Sequence, residues 1–274
     1  MKIFISSDME GTAGVVDWDH VVAGGLLYPY YCELLTNEVN ASIEGAMRAG
    51  ADEFLVNDSH SKMANLKPSE LAGSARYLSG RLKPMYMMEG LDETFDAVFF
   101  ISYHGSMSSR GSTLSHTYFP TAFAQVAING VVAGEAGINA LVAKAYGVPI
   151  ILISGDEVTA REIAPFAPSA RAAVVKRSVS RFAADSLHPT AACKLIGEQA
   201  YEAASSLANA QQVAIATPVT MDIDFRTSDY ADLAERVAGV KRTGDLHCSI
   251  TSESPLELYR TFITVVLLCR GLTE

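Results

Sequence analysis

Four short segments carry residues able to hold a transition metal, and each ends an expected strand or opens an expected helix. Asp8 and Glu10 stand in Ser-x-Asp-x-Glu-Gly, His60 in Asn-Asp-Ser-His-Ser, His104 in Tyr-His-Gly and Glu135 in Gly-Glu-x-Gly. Two imidazoles and three carboxylates suit zinc or a similar divalent ion, and five ligands exceed what one catalytic zinc needs. Two ions fit the set better. A carboxylate can bridge ions ~3.5–4 Å apart and hold a water between them as nucleophile. Asp8, closing the first strand, is the expected bridge. Taken singly, each residue has a plainer reading as a loop cap, a solvated charge or a packed histidine. Their coincidence at strand ends is what favours a shared site.

The elements that must bring them together read as strands alternating with helices, which favours an α/β fold. Strands are expected at Lys2 to Ser7, Glu53 to Asn57, Ala97 to Tyr103 and Pro149 to Ser154, with helices at Tyr30 to Arg48 and Ala136 to Tyr146. Asn129-Gly130 suits the two-residue turn of a hairpin over Tyr118 to Val132. Further on, helices are expected at Pro189 to Leu207 and Pro255 to Arg270, and strands near Val213 to Ala216 and His247 to Thr251. The architecture expected is a layered sheet with helices on both faces and two subdomains. Residues 1–157 would form a metal-binding catalytic subdomain, and 158–274 a second α/β subdomain completing the fold and the assembly. In an open sheet, loops at the carboxyl ends of parallel strands converge on one crevice, so ligands distant in sequence can meet there.

Composition narrows the function. The 274 residues are 49% hydrophobic and 19% charged, enough core material for a chain that is compact throughout. A net charge of −10 argues against nucleic-acid binding, which needs clustered Lys and Arg. The first apolar run stops at Asp8 before a signal-peptide core could form, and Phe262 to Leu268 is far shorter than the ~20 residues of a membrane span. A cytoplasmic location without membrane contact is therefore expected. Cys32, Cys193, Cys248 and Cys269 lack a C-x-x-C pair and read as reduced thiols. No G-x-G-x-x-G or Walker motif indicates a nucleotide cofactor.

Ser6 to Gly11, Val56 to Met63 (Val-Asn-Asp-Ser-His-Ser-Lys-Met), Glu89 to Asp92, Tyr103-His104, Leu114 to His116 and Gly134 to Ala140 resemble the zinc D-aminopeptidase family. Ser154 to Asp156 and Val175-Lys176 extend the resemblance, which weakens after about residue 210. The loop Gly105 to Ser115 differs slightly in length from the family form. The resemblance implies two zinc ions per subunit on Asp8, Glu10, His60, His104 and Glu135, and a catalytic role for His116. Without it, His116 would read as a histidine packed before the hairpin. It also implies a metallo-aminopeptidase that removes amino-terminal residues, of D-configuration, from short peptides. A homo-oligomer is expected in turn, because some members form ten-subunit double rings. The alternatives are a two-metal phosphoesterase, which should present Arg or Lys to a phosphoryl group, and a non-catalytic peptide-binding protein linked to dipeptide transport.

Several residues are left open. Asp58 could orient a ligand or cap the turn after its strand, and Trp18 could line a pocket or simply pack. Lys62 reads as a solvated charge or a contact to a substrate carboxylate, while His20, His188 and His247 have no supporting neighbours. Phe262 to Leu268 offers an apolar face larger than its own core should need, which favours an interface.

Overall fold

The computed structural model describes residues 1–272. Its first half runs β1 (Lys2–Ser7), α1 (Trp18–Val21), α2 (Tyr28–Arg48), β2 (Glu53–Asp58), β3 (Arg76–Leu78), β4 (Ala97–Tyr103), β5 (Phe123–Ile128), β6 (Val131–Val132) and α3 (Glu135–Tyr146). The second half follows as β7 (Ile150–Asp156), α4 (Glu157–Ile163), β8 (Arg171–Ser180), β9 (Ala183–Ser186), α5 (Pro189–Ser205) and β10 (Val219–Phe225). It closes with α6 (Ser228–Ala234), β11 (Val240–Arg242), β12 (His247–Ser252) and α7 (Pro255–Cys269).

Two sheets result. The larger has the order β3-β2-β1-β4-β7-β8-β9 and is parallel except for its last strand. The smaller, β11-β12-β10-β5-β6, is antiparallel throughout. Period-two alternation sorts the central strands onto two cores. Ile3, Ile5, Phe99 and Ile101 join Leu35, Val39 and Ile43 of α2 and Ile196 and Ala200 of α5. Phe4, Val98 and Phe100 face the opposite way, toward α3, α7 and the smaller sheet. The α/β fold and helices on both faces are thus as expected.

β8 and β9 extend the larger sheet, and β5 and β6, from the first half of the chain, pair into the smaller one. Two details differ from the sequence reading. Val213 to Ala216 forms no strand. It is an extended stretch held by irregular bonds, Ala214 N–H to the Phe166 carbonyl and Asn129 Nδ2 to the Ala216 carbonyl, and the strand lies three residues on at β10. The apolar face of α7 is not spare either, because Phe262, Ile263, Val265 and Val266 are buried within the chain's own core. No helix among the described residues is long and apolar enough to cross a membrane.

Candidate metal centre

The chain moves outward from β1 through β2 to β3, then restarts at β4 on the other side of β1. That reversal opens a crevice beyond the carboxyl ends of β1 and β4. Asp8 and Glu10 follow β1, His104 follows β4, His60 follows the neighbouring β2, and Glu135 is the first residue of α3. The loop after β1 crosses very close to β4: a Cβ on Gly11 would lie 2.0 Å from the Tyr103 carbonyl oxygen, so only glycine fits. Ser61, Ser102, Leu114 and Tyr118 are each within two residues of His60, His104 or His116, and all adopt left-handed backbone. For non-glycine residues this is strained, and such strain gathers where side chains must be aimed.

All six side chains named from the sequence meet in one cleft of about 230 Å³ or in its floor. Asp8, Glu10 and His60 bring ligand atoms within 4.8 Å of one another, and so do Asp8, His104 and Glu135, which makes Asp8 common to both trios. His60 Nδ1 lies 2.9 Å from Glu10 Oε2 and 3.4 Å from Asp8 Oδ1. His104 Nε2 is 3.4 Å from Asp8 Oδ2 and 3.7 Å from Glu135 Oε2. A third trio joins Glu10 and His104 to His116.

Backbone carbonyls settle which ring nitrogens face the cluster. His60 Nε2 donates to the Val21 carbonyl at 2.7 Å, His104 Nδ1 to the Gly105 carbonyl at 2.9 Å, and His116 Nδ1 to the Leu114 carbonyl at 3.0 Å. Each bond fixes one N–H away from the centre and leaves the other nitrogen facing in, where a metal ion could take its lone pair in place of a proton. Asp8 Oδ2, Glu10 Oε2 and His104 Nε2 are meanwhile buried with no hydrogen-bond partner among the described residues. Unsatisfied buried acceptors are costly. Divalent cations would satisfy all three, so the donor set fits such ions.

Electrostatics point the same way. Burial, with Glu10 and Glu135 beside it, pushes the Asp8 carboxyl up to about 7. Burial opposes charge on His104 as well, but Glu135, Asp8 and Glu10 outweigh it and raise the imidazole to about 9. His60 is likewise held well above its ordinary value, burial being overcome by Glu10 and Asp8. Glu10 lies well below the usual carboxylate range because His60, His116 and His104 overcome its burial. Without metal the cluster balances its crowded carboxylates with protons, which divalent ions would displace. His116 differs: burial and then His104 lower its pKa, which keeps its inward Nε2 unprotonated.

Residues to which sequence reasoning gave no role hold the candidate ligands in place. Lys176, fully buried, donates to the carbonyls of Glu10, Thr12 (3.1 Å) and Val15 (2.8 Å), clamping the loop that carries Glu10. Burial lowers its pKa to about 8. Glu38 accepts from Ala13 N–H and from Ser102 Oγ, tying that loop to β4. Lys83 Nζ donates to the Asp58 carbonyl two residues before His60. The Tyr118 N–H donates to Glu135 Oε1 at 2.7 Å. Nothing in the periodicity distinguishes these from ordinary helix, strand or loop residues; Val175-Lys176 stood out only through the resemblance. Lys176→Met should weaken metal binding about 10- to 100-fold, the usual cost of losing an outer-shell support, with the fold retained. Competition against a chromogenic chelator measures this, and an unchanged affinity would refute the clamp.

Of the residues left open, Asp58 caps its turn, accepting from the backbone N–H groups of Asn65 and Leu66. Trp18 lines the cleft edge-on to His116, with ring centroids 5.6 Å apart. Lys62 is exposed. His20 stacks on Tyr31, His188 caps α5, and His247 pairs with Asp224.

A parallel sheet whose switch point carries imidazole–carboxylate trios sharing one carboxylate has the make-up of a metal-dependent hydrolase. The family model described as D-aminopeptidase matches residues 1–264, and the chain belongs to that family. It is 35% identical over 269 residues to the D-aminopeptidase of Bacillus subtilis (strain 168), which covers 97% of this chain and 96% of the relative. The solved structure of the Zn-dependent D-aminopeptidase DppA from Bacillus subtilis, described as a self-compartmentalizing protease, covers 100% of both chains. It matches with a TM-score of 0.92 at 33% identity.

Proposed function

We propose that this chain is a zinc aminopeptidase that cleaves amino-terminal D-residues from short peptides. Asp8, Glu10, His60, His104 and Glu135 would hold two ions, and His116 would act on the substrate. The observation that carries the reading is the shared carboxylate of Asp8, which belongs to both ligand trios. Bound there, the ions would supply Lewis-acid polarisation of the scissile carbonyl and charge for a peptide's free amine to coordinate beside. His116 Nε2, unprotonated and 3.6 Å from Glu135 Oε1, is positioned to take a proton from the attacking group and return it to the leaving amine, or to attack directly. Trp18, Val21, Tyr86 and Tyr118 line the cleft with apolar and aromatic surface. The D-preference follows the relatives' activity, and the assembly follows the solved relative: a homo-oligomer enclosing its sites. The four unpaired cysteines suit a cytoplasmic enzyme.

Zinc-loaded protein is expected to hydrolyse D-aminoacyl amides in preference to their L-counterparts and to leave a phosphoester intact. Preference for the phosphoester would replace this reading with the phosphoesterase one. Sedimentation at the 29.3 kDa of a single chain would count against the enclosed assembly.

A further inference from the structure

The cleft is acidic on its floor and cationic at one wall. Asp8, Glu10 and Glu135 lie at the bottom, and Arg270, just past the end of α7, is the one Arg or Lys among the residues lining it. Its guanidinium carbon sits 5.4 Å from the Tyr86 ring and 5.8 Å from the Phe119 ring, so aromatic surfaces hold the plane. Nη2 donates to the Tyr118 carbonyl at 3.0 Å, while Nε is buried with no partner, and no carboxylate pairs with this arginine among the described residues. An oriented guanidinium that faces a cleft with no carboxylate partner among the described residues, in a protein of net charge −10, calls for an anion from outside.

The backbone supplies a ruler. Tyr118 donates its N–H to Glu135 at 2.7 Å and accepts from Arg270 through its own carbonyl at 3.0 Å. One residue thus separates a proposed metal ligand from the guanidinium, and standard backbone dimensions put the two within roughly 10 Å. That separation is on the scale of a short peptide, ~7 Å from amine to carboxylate for an extended dipeptide and ~10 Å for a tripeptide.

We infer that Arg270 anchors the free α-carboxylate of the substrate, so the cleft favours zwitterionic short peptides with the amine at the acidic floor and the carboxylate at the guanidinium. This rests on the aminopeptidase reading and adds the charge required at the substrate's far end. Arg181 and Arg226 form a second cationic mouth that shares Trp18 and Pro120 with the cleft. They lie outside the set that includes the metal-binding side chains, a placement suited to longer substrates.

The test compares a dipeptide with its C-terminal amide. Zinc-loaded wild-type protein should favour the free acid about 10- to 100-fold in kcat/KM, the scale of a charge-assisted bond in a partly buried site. Calorimetric binding of a reduced-bond dipeptide isostere and its amide should show the same preference. Arg270→Met should bring both ratios to within about threefold of unity, and Arg270→Lys, which keeps charge but loses the fork, should fall between. Because each result is a ratio on one preparation, partial unfolding cancels. Ratios near one in the wild type, or ratios that survive Arg270→Met and collapse in Arg226→Met, overturn the assignment while leaving the aminopeptidase activity standing. Failure to hydrolyse any aminoacyl substrate would instead defeat the aminopeptidase reading itself.

Discussion

Replacing His116 with alanine is expected to cut turnover by ~10²–10⁴, the usual loss for a positioned acid–base group, while the fold and the bound metal survive. The argument rests on how the ring is held. Its Nδ1 is committed to the Leu114 carbonyl, and its plane stacks on His104 with centroids 4.3 Å apart, so Nε2 is aimed across the cleft without a close partner. The nearest carboxylate oxygens, on Glu135 and Glu10, are 3.6 and 4.0 Å away, longer than a hydrogen bond. Burial and the neighbouring His104 hold its pKa below the ordinary imidazole range, so its base form persists into mild acid.

Two other roles predict different outcomes for the same variant. Because His116 also forms a trio with Glu10 and His104, it could be a sixth ligand, in which case His116→Ala would lose metal along with turnover. As a packing residue it would lower the melting temperature and reduce activity only in proportion to the folded fraction. Turnover, melting temperature and zinc content measured together separate these. Near-normal turnover in stable, metal-loaded His116→Ala protein would remove it from the mechanism.

The proposed ligand residues stood out in the sequence because short polar motifs interrupt strongly apolar strands at their carboxyl ends. β4, seven buried residues running straight into His104, is the clearest case. Topology supplied what spacing could not: the switch between β1 and β4 follows from strand order, which no local pattern encodes. β10 was misplaced although Val219, Met221, Ile223 and Phe225 alternate faultlessly with polar residues. The apolar run at Val213 to Ala216 competes for the same assignment, and only pairing with β5 and β12 decides between them. β8 was missed for another reason. Its Lys176 looks like a surface charge, yet it is buried because three loop carbonyls replace its water. Arg270 had no motif at all, since a cation's value to a cleft depends on what folds around it.

Asp8→Ala is expected to remove both metal ions, whereas His60→Ala and His104→Ala should each chiefly release the ion of its own trio. The difference follows from Asp8 alone being shared by the Glu10–His60 and His104–Glu135 groups. Proton linkage offers a second measurement on the wild type. In the metal-free protein the pKa of Asp8 is raised to about 7 and that of His104 to about 9, above their ordinary ~3.9 and ~6.5. The folded state therefore binds more protons than the unfolded one, and metal-free stability falls as pH rises through those windows. Glu10, held low, acts in the opposite sense only below about 4.5, and Lys176, lowered to about 8, opposes the fall above that pH but is no proposed ligand, so it does not enter the gain from zinc. Bound ions replace these protons, so the gain in melting temperature on adding zinc should grow steadily from about pH 6 to pH 9. Asp8→Ala, lacking the shared carboxylate, should show neither the gain nor its slope. Full zinc occupancy in Asp8→Ala, or a wild-type gain that does not change with pH, would mean that the ions are held by some other set of atoms.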